Sequence, residues 1–317
     1  KADSTNAESV SFISGTNTAT KEARHGFTSE ANIIFPAFET TYDNFSRGFT
    51  DVSLFGINEA DPSDADNTTW LSTDNANFQV FAVRDAANSK NAYFKLTSSN
   101  DPFPFPLLTS SVFLDVYDNQ EWNFSVRMKP SNYPLTDLVT GSSDYTYILE
   151  FQGINAVGDT IQNSFFLTSS VTKAGGAEFL KSAKRVYAGA RRTNVTGAIL
   201  QNSDIRITNV KYWTKYLDDI SLNQHLYDTN NAGVSGSYKN ISPLDANLTQ
   251  TDAINLNTLA LHWKFNNITG SDSNGEFYYV TDHSSGSALL RNNYGWIGEI
   301  GGYQHTGYGY GYNASST

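Results

Sequence analysis

The sequence predicts an all-β protein, and three observations carry that prediction. Aromatic residues make up 14% of the 317, with 20 Phe and 18 Tyr, and their flat side chains pack well on pleated surfaces. Met, Glu, Lys and Arg, which favour helices, are few beside Ser, Thr, Asn, Asp and Gly, the make-up of many short strands joined by turns. Apolar side chains also alternate with polar ones. Over residues 121–130, Trp122, Phe124, Val126 and Met128 fall on one face, while Glu121, Asn123, Ser125, Arg127 and Lys129 fall on the other. A period of two held that long fits a half-buried strand and no helix.

The elements follow in order. Residues 1–30 are polar, with few apolar anchors, and are expected to form an extended N-terminal arm. The first apolar run is 33–38. Residues 58–77 carry Asp and Asn clusters around Trp70 and read as a long surface loop. Residues 78–83 are apolar on both faces, as in a central strand covered on both sides. Residues 112–117 alternate and predict a strand; 121–130 follow, and Pro130 stops ladder pairing. Residues 145–151 and 164–168 are two more strands, with the turn between them at 155–158.

Further strands are expected at 184–190 and 204–213. In the second of these the apolar phase shifts between Ile207 and Val210, which predicts a bulge. One short helix is expected over 217–227, capped by Asp218 or Asp219, with Leu217, Ile220 and Gln224 as its inward stripe. Residues 229–257 resemble a linker. The strand pattern restarts at 259–265, where Leu259, Leu261, Trp263 and Phe265 point one way, and His262 faces solvent with Ala260 and Lys264.

Charge and composition exclude several functions. The net charge of −11 argues against binding nucleic acid through its phosphates. No apolar stretch reaches the roughly 18 residues of a membrane helix. With no cysteine, zinc–thiolate and cysteine-nucleophile chemistry are absent, and core area alone must hold the fold. The chain opens at Lys1 without an initiator Met, and is expected to be a piece of a longer polypeptide.

Two stretches resemble the concanavalin A-like (LamG) superfamily. One is Ile205–Ile220 with His225-Leu-Tyr-Asp228, similar to the penultimate strand of such modules and the helical turn after it. The other is 259–265 with Asp282-His-Ser-Ser-Gly286, similar to a module's opening strand and turn. The phrase Arg185-Val-Tyr-Ala-Gly-Ala-Arg-Arg-Thr-Asn-Val-Thr-Gly197, with 261–272 downstream, resembles large virion structural proteins of contractile-tailed cyanophages. The resemblance spans roughly 110–310 and implies an antiparallel jelly-roll sandwich. It also implies an order: an arm at 1–30, a LamG-like sandwich at 31–228, a linker at 229–257, and a remainder at 258–317. That remainder either begins a partial second β module or completes the first sandwich with a strand.

No constellation of catalytic spacing emerges. Glycoside hydrolases of this fold set acids at i, i+2 and i+5 on one strand face, whereas Asp115, Asp118 and Glu121 are spaced by three. The five histidines are scattered, with no His-x-His or His-x₃-His pair. His225 reads as a helix-end residue favoured by the dipole. No cofactor is expected except calcium, for which the loop acids Asp61, Asp64 and Asp66 are the candidate ligands. Trp70 either stacks on a glycan or anchors its loop on the core.

The glycine–tyrosine run over 301–312 puts Tyr308, Tyr310 and Tyr312 on one strand face, after Tyr303 and His305. It reads as a subunit interface or a low-complexity tail. The function expected from these features and the resemblance is that of a non-enzymatic virion structural protein. Its partners would be other virion subunits or copies of itself, and a host glycan, with no nucleic acid and no membrane. The alternatives are a secreted bacterial carbohydrate-binding or adhesive module and, third, a degenerate glycoside hydrolase.

Overall fold

The alternation of apolar and polar side chains resolves into two antiparallel sheets packed face to face. The computed structural model describes residues 26–37, 49–59, 70, 77–98, 105–131, 145–182, 184–194, 197–229, 259–271 and 278–284. The strands are β1 (Phe27–Phe35), β2 (Asp51–Glu59), β3 (Phe78–Arg84), β4 (Ala92–Thr97), β5 (Leu108–Thr109), β6 (Gln120–Pro130) and β7 (Tyr147–Val157). They continue with β8 (Thr160–Val171), β9 (Lys184–Ala188), β10 (Arg191–Arg192), β11 (Ile199–Gln201), β12 (Arg206–Trp213), β13 (Leu259–Ser271) and β14 (Tyr278–Asp282). Among the described residues two helices, α1 (Lys173–Lys181) and α2 (Asp219–Tyr227), complete the set.

The larger sheet has seven strands in the order β14-β13-β12-β1-β6-β7-β8. The smaller has five, β5-β4-β3-β2-β9, and β10-β11 form a separate ribbon. The all-β class read from the sequence is the one observed, with α2 as the expected short helix. β3 is the middle strand of its sheet and is buried throughout, as its two apolar faces require.

Aromatic rings fill the space between the sheets. Phe94 of β4 lies 4.7 Å, ring centre to ring centre, from both Trp122 and Phe124 of β6. Phe27 of β1 lies 6.1 Å from Phe78 of β3. Each such side chain, removed from water, contributes roughly 1.5–3 kcal/mol. This layer holds a chain that has no cysteine to staple it.

Several expectations are corrected. β1 starts at Phe27, inside the polar lead-in expected over 1–30, and runs through the larger sheet between β12 and β6. Its first half hides because Thr28, Ser29, Glu30 and Asn32 are polar yet buried. Residues 112–117 form no strand beyond one bridge at Phe113, because Asp115 and Asn119 adopt left-handed backbone (φ 52° and 58°) that turns the chain. The hairpin between β7 and β8 turns at Gly158 and Asp159, not at 155–158, with Gly158 at φ 59°.

α1 was not foreseen, since Gly175 and Gly176 lower its intrinsic helix propensity. Thr172 caps it by accepting from the Gly175 N–H at 3.2 Å. Gly176 is needed for space, because a Cβ there would fall inside the Tyr147 ring. In α2, Asp218 is the cap, accepting from the Ser221 N–H at 2.8 Å. Its buried face is Ser221, Leu222 and His225; of the expected Leu217–Ile220–Gln224 stripe, Leu217 is buried just ahead of the helix, but Ile220 is 62% exposed.

The bulge expected between Ile207 and Val210 is at Thr208. Asn209 stands opposite Asn32 and Ile207 opposite Ile33, so Thr208 is the extra residue, and its hydroxyl donates to the Asn32 carbonyl at 3.2 Å. β13 lies beside β12, with Val210 opposite Trp263 and Tyr212 opposite Leu261. Leu261 and Trp263 thus enter the same core as the rest of the sandwich. His262, on the opposite face, is buried rather than solvated.

Candidate functional site

Where β6 and β8 begin and β7 ends, the sandwich has an open mouth. A cavity of about 410 Å³ lies there, lined by Trp122 of β6, Asn155 and Val157 of β7, Gln162 and Asn163 of β8, and the 114–120 segment. Pockets for small ligands run to about 300–1,000 Å³. Trp122, Val116 and Asn155 are its buried lining. Asn155 and Asn163 occupy the core-facing register line of Trp122, so their amides replace apolar side chains at the end of the sheet.

The amides are coupled to one another. The Asn155 amide nitrogen donates to the Glu121 carbonyl at 2.8 Å and to Gln120 Oε1 at 3.2 Å, and Asn163 Nδ2 donates to Asn155 Oδ1 at 3.3 Å. Asp115, in its left-handed turn, is the one ionisable residue of the lining. Leu114 and Val157, 73% and 60% exposed, form apolar lips. Such a surface offers hydrogen bonds and apolar contact to a neutral polar ligand. The sequence signal for it was amide residues on the core side of an alternating strand.

The three acids of 115–121 diverge. Asp115 lines the mouth, Asp118 is bound by Lys90 at 3.1 Å, and Glu121 lies on the face of β6 opposite Trp122. Burial pushes the Glu121 carboxyl above its ordinary value. Trp70 is half-buried; its ring stacks on Tyr187 at 6.3 Å, and its backbone N–H donates to Asn194 Oδ1 at 2.9 Å. Asp61, Asp64 and Asp66, the calcium candidates, and Tyr303, His305, Tyr308, Tyr310 and Tyr312, the interface candidates, lie outside the described residues.

A second polar assembly covers the outer face of the larger sheet, beneath α2 and the 214–218 turn. Arg127 of β6 is fully buried; it reaches Glu150 of β7 at 2.9 Å, Asp219 of α2 at 2.7 Å, and donates to the Leu217 carbonyl at 2.9 Å. Its guanidinium stacks over Tyr216 at 5.0 Å. The Tyr216 hydroxyl donates to Glu150 at 3.0 Å and accepts from Lys129 at 2.9 Å. Burial pushes that phenol up to about 12, against the lowering pull of Arg127 and Lys129.

Beside it, Glu30 of β1 meets His225 Nδ1 of α2 at 2.6 Å and Asn123 Nδ2 at 2.6 Å. Burial alone would raise the Glu30 carboxyl. Attraction to His225 and Lys211, with hydrogen bonds from His225 and Asn123, reverses this and holds it at about 2. Burial lowers His225 in spite of the attraction of Glu30, whose carboxylate faces Nδ1. Burial, then Lys211 and Lys264, hold His262 well below its ordinary value. His225 lies in the last turn of α2, the helix-end place expected of it, but there it is buried, a clasp between helix and sheet with its ring stacked on Trp213 at 5.2 Å.

Neither assembly marks a known family: no family model matches the chain, and no curated protein is significantly similar to it.

Proposed function

We propose that this chain is a non-enzymatic structural and interaction module of a phage virion, a rigid sandwich that packs against neighbouring subunits. The observation that carries the reading is the apolar surface along one side of the molecule. β5 and β8, the outermost strands of the two sheets, approach each other there. Leu107, Val112, Leu114, Val157, Ile161 and Phe166 are all 46–73% exposed. A rim of large apolar side chains around a sheet edge is the surface an assembling subunit presents. The resemblance of Arg185–Gly197 and of 261–272 to virion proteins supports the virion as the place.

Hydroxyl-radical footprinting tests this. Leu107 and Leu114 should label strongly in the isolated chain and weakly in the intact particle. Equal labelling in both would overturn the reading.

The mouth favours a second reading, contact with a host glycan, since coupled amides beside apolar lips suit a neutral sugar. Binding on a glycan array that is lost in Asn163→Ala, with the fold retained, would support it; a blank array would count against it.

A further inference from the structure

β8 is the outer strand of the larger sheet, and among the described residues nothing pairs with its free edge. It is twelve residues long, and most of them are exposed. Exposed edges of this length are normally guarded by Lys, Pro, a charge pointing inward or a covering loop, because unpaired N–H and C=O groups recruit other strands. Thr160–Val171 carries no Lys, Arg, Asp, Glu or Pro at all. Among the described residues the edge is unguarded.

Its sequence also reads alike from both ends. About Phe166, Phe165 matches Leu167, Ser164 matches Thr168, Asn163 matches Ser169, Gln162 matches Ser170, and Ile161 matches Val171. Just outside, Thr160 matches Thr172, and Asp159 is the opposite charge to Lys173. An antiparallel pair of identical strands sets residues i and j opposite each other on the same face whenever their numbers sum to a constant even value. Phe165 and Leu167 both turn towards the core, while Phe166 turns to the outer face and is 51% exposed.

We infer that β8 pairs with β8 of a second copy of this chain, antiparallel about a two-fold axis at Phe166, joining the two larger sheets into one. The inference rests on the reading that this edge is a subunit contact, and adds the identity of the partner and its register. In that register apolar faces apolar and polar faces polar at every step. The two Phe166 rings meet across the axis, and Asp159 of each copy approaches Lys173 of the other. Gln162 is the extra residue of a bulge against β7, so the ladder proper runs from Asn163 to Ser169. A heterotypic partner would have no reason to require a palindrome. Two-fold pairing also consumes both free edges, so the assembly closes as a dimer instead of growing into a fibre.

The chain has no cysteine, which allows a direct test of register. Opposed Cβ atoms in an antiparallel pair sit about 4.5–5.5 Å apart, near disulfide range. Ser164→Cys and Thr168→Cys chains should each stay uncrosslinked alone under mild oxidation, and should form a covalent dimer when mixed and refolded together. By native mass spectrometry the unmodified chain should be a dimer, and Phe166→Lys, which sets two ammonium groups on the axis, a monomer with an unchanged circular dichroism spectrum. Leu114→Lys, on the mouth, should remain dimeric. A monomer at every concentration, or a Ser164→Cys chain that crosslinks to itself, would overturn the self-pairing. Protection of Phe166 in the particle together with a monomer in solution would overturn only the identity of the partner, whereas open labelling of Phe166 in the particle would sink the subunit contact itself.

Discussion

At the middle strands of the larger sheet both faces are buried, and they are buried by different means. The inner face meets the smaller sheet through rings, with Phe124, Trp122 and Phe94 within 4.7–5.9 Å of one another. The outer face meets α2 through charge, with Arg127, Glu150, Lys129, Glu30 and His225 joined in ion pairs and hydrogen bonds. Apolar packing tolerates small shifts and is indifferent to pH. A buried ionic layer needs every partner in place, and it holds one arrangement only while each proton is where it should be. The same strand, β6, supplies both layers by alternation.

Four measurements would break or sharpen this contrast. The largest effect should come from the inner layer: Phe124→Ala removes a fully buried ring and should cost roughly 3–5 kcal/mol in urea unfolding. Next is Arg127→Met, which leaves the Glu150 carboxylate buried without its guanidinium. Breaking a buried pair costs about 3–5 kcal/mol, and because Lys129 and Tyr216 still hold Glu150, the loss should lie near about 3 kcal/mol. If Arg127→Met proves neutral, the outer layer is only decoration.

The third measurement is acid titration of the melting temperature. Glu30 stays ionised in the folded chain to about 2 but protonates near 4.5 once unfolded, so its contribution is full above 4.5 and is lost as pH falls from there. His225 and His262 are held below 6.5 in the folded chain, so the unfolded chain gains protons first and stability begins to fall as pH drops past 6.5. Both act in one direction, and Glu30→Gln should flatten the lower part of the curve. The smallest effect belongs to Ser125→Ala, below about 1 kcal/mol, because a short neutral side chain contributes little in either layer.

The inner layer was legible and the outer was not, for a physical reason. Alternation states that Trp122 and Asn123 point to opposite faces; it says nothing about what covers each face. Polar residues were read as wet because a polar face is usually solvated, yet Arg127 and Asn123 are buried beneath α2, whose own stripe was read on Ile220 instead of His225. The partner of a buried charge lies far along the chain, so no local window contains the pair. The Thr208 bulge, by contrast, was visible because a phase shift is a local property. The amide mouth escaped notice because Asn155 and Asn163 look like turn residues, and only the register places them beside Trp122.

The place of β1 in the sheet also sets an order of assembly. Glu30 waits for Asn123, 93 positions later, and for His225, 195 positions later, before its carboxylate has partners. At roughly 5–20 residues per second, a ribosome needs about 10–40 s to supply the second of these. During that interval β6 can pair with β1 on one side and build its meander with β7 and β8 on the other, while the β12 side of β1 stays open. A growing chain of this design therefore carries a strand with one open edge, and its yield should depend on how well the cell shields that edge until β12 emerges.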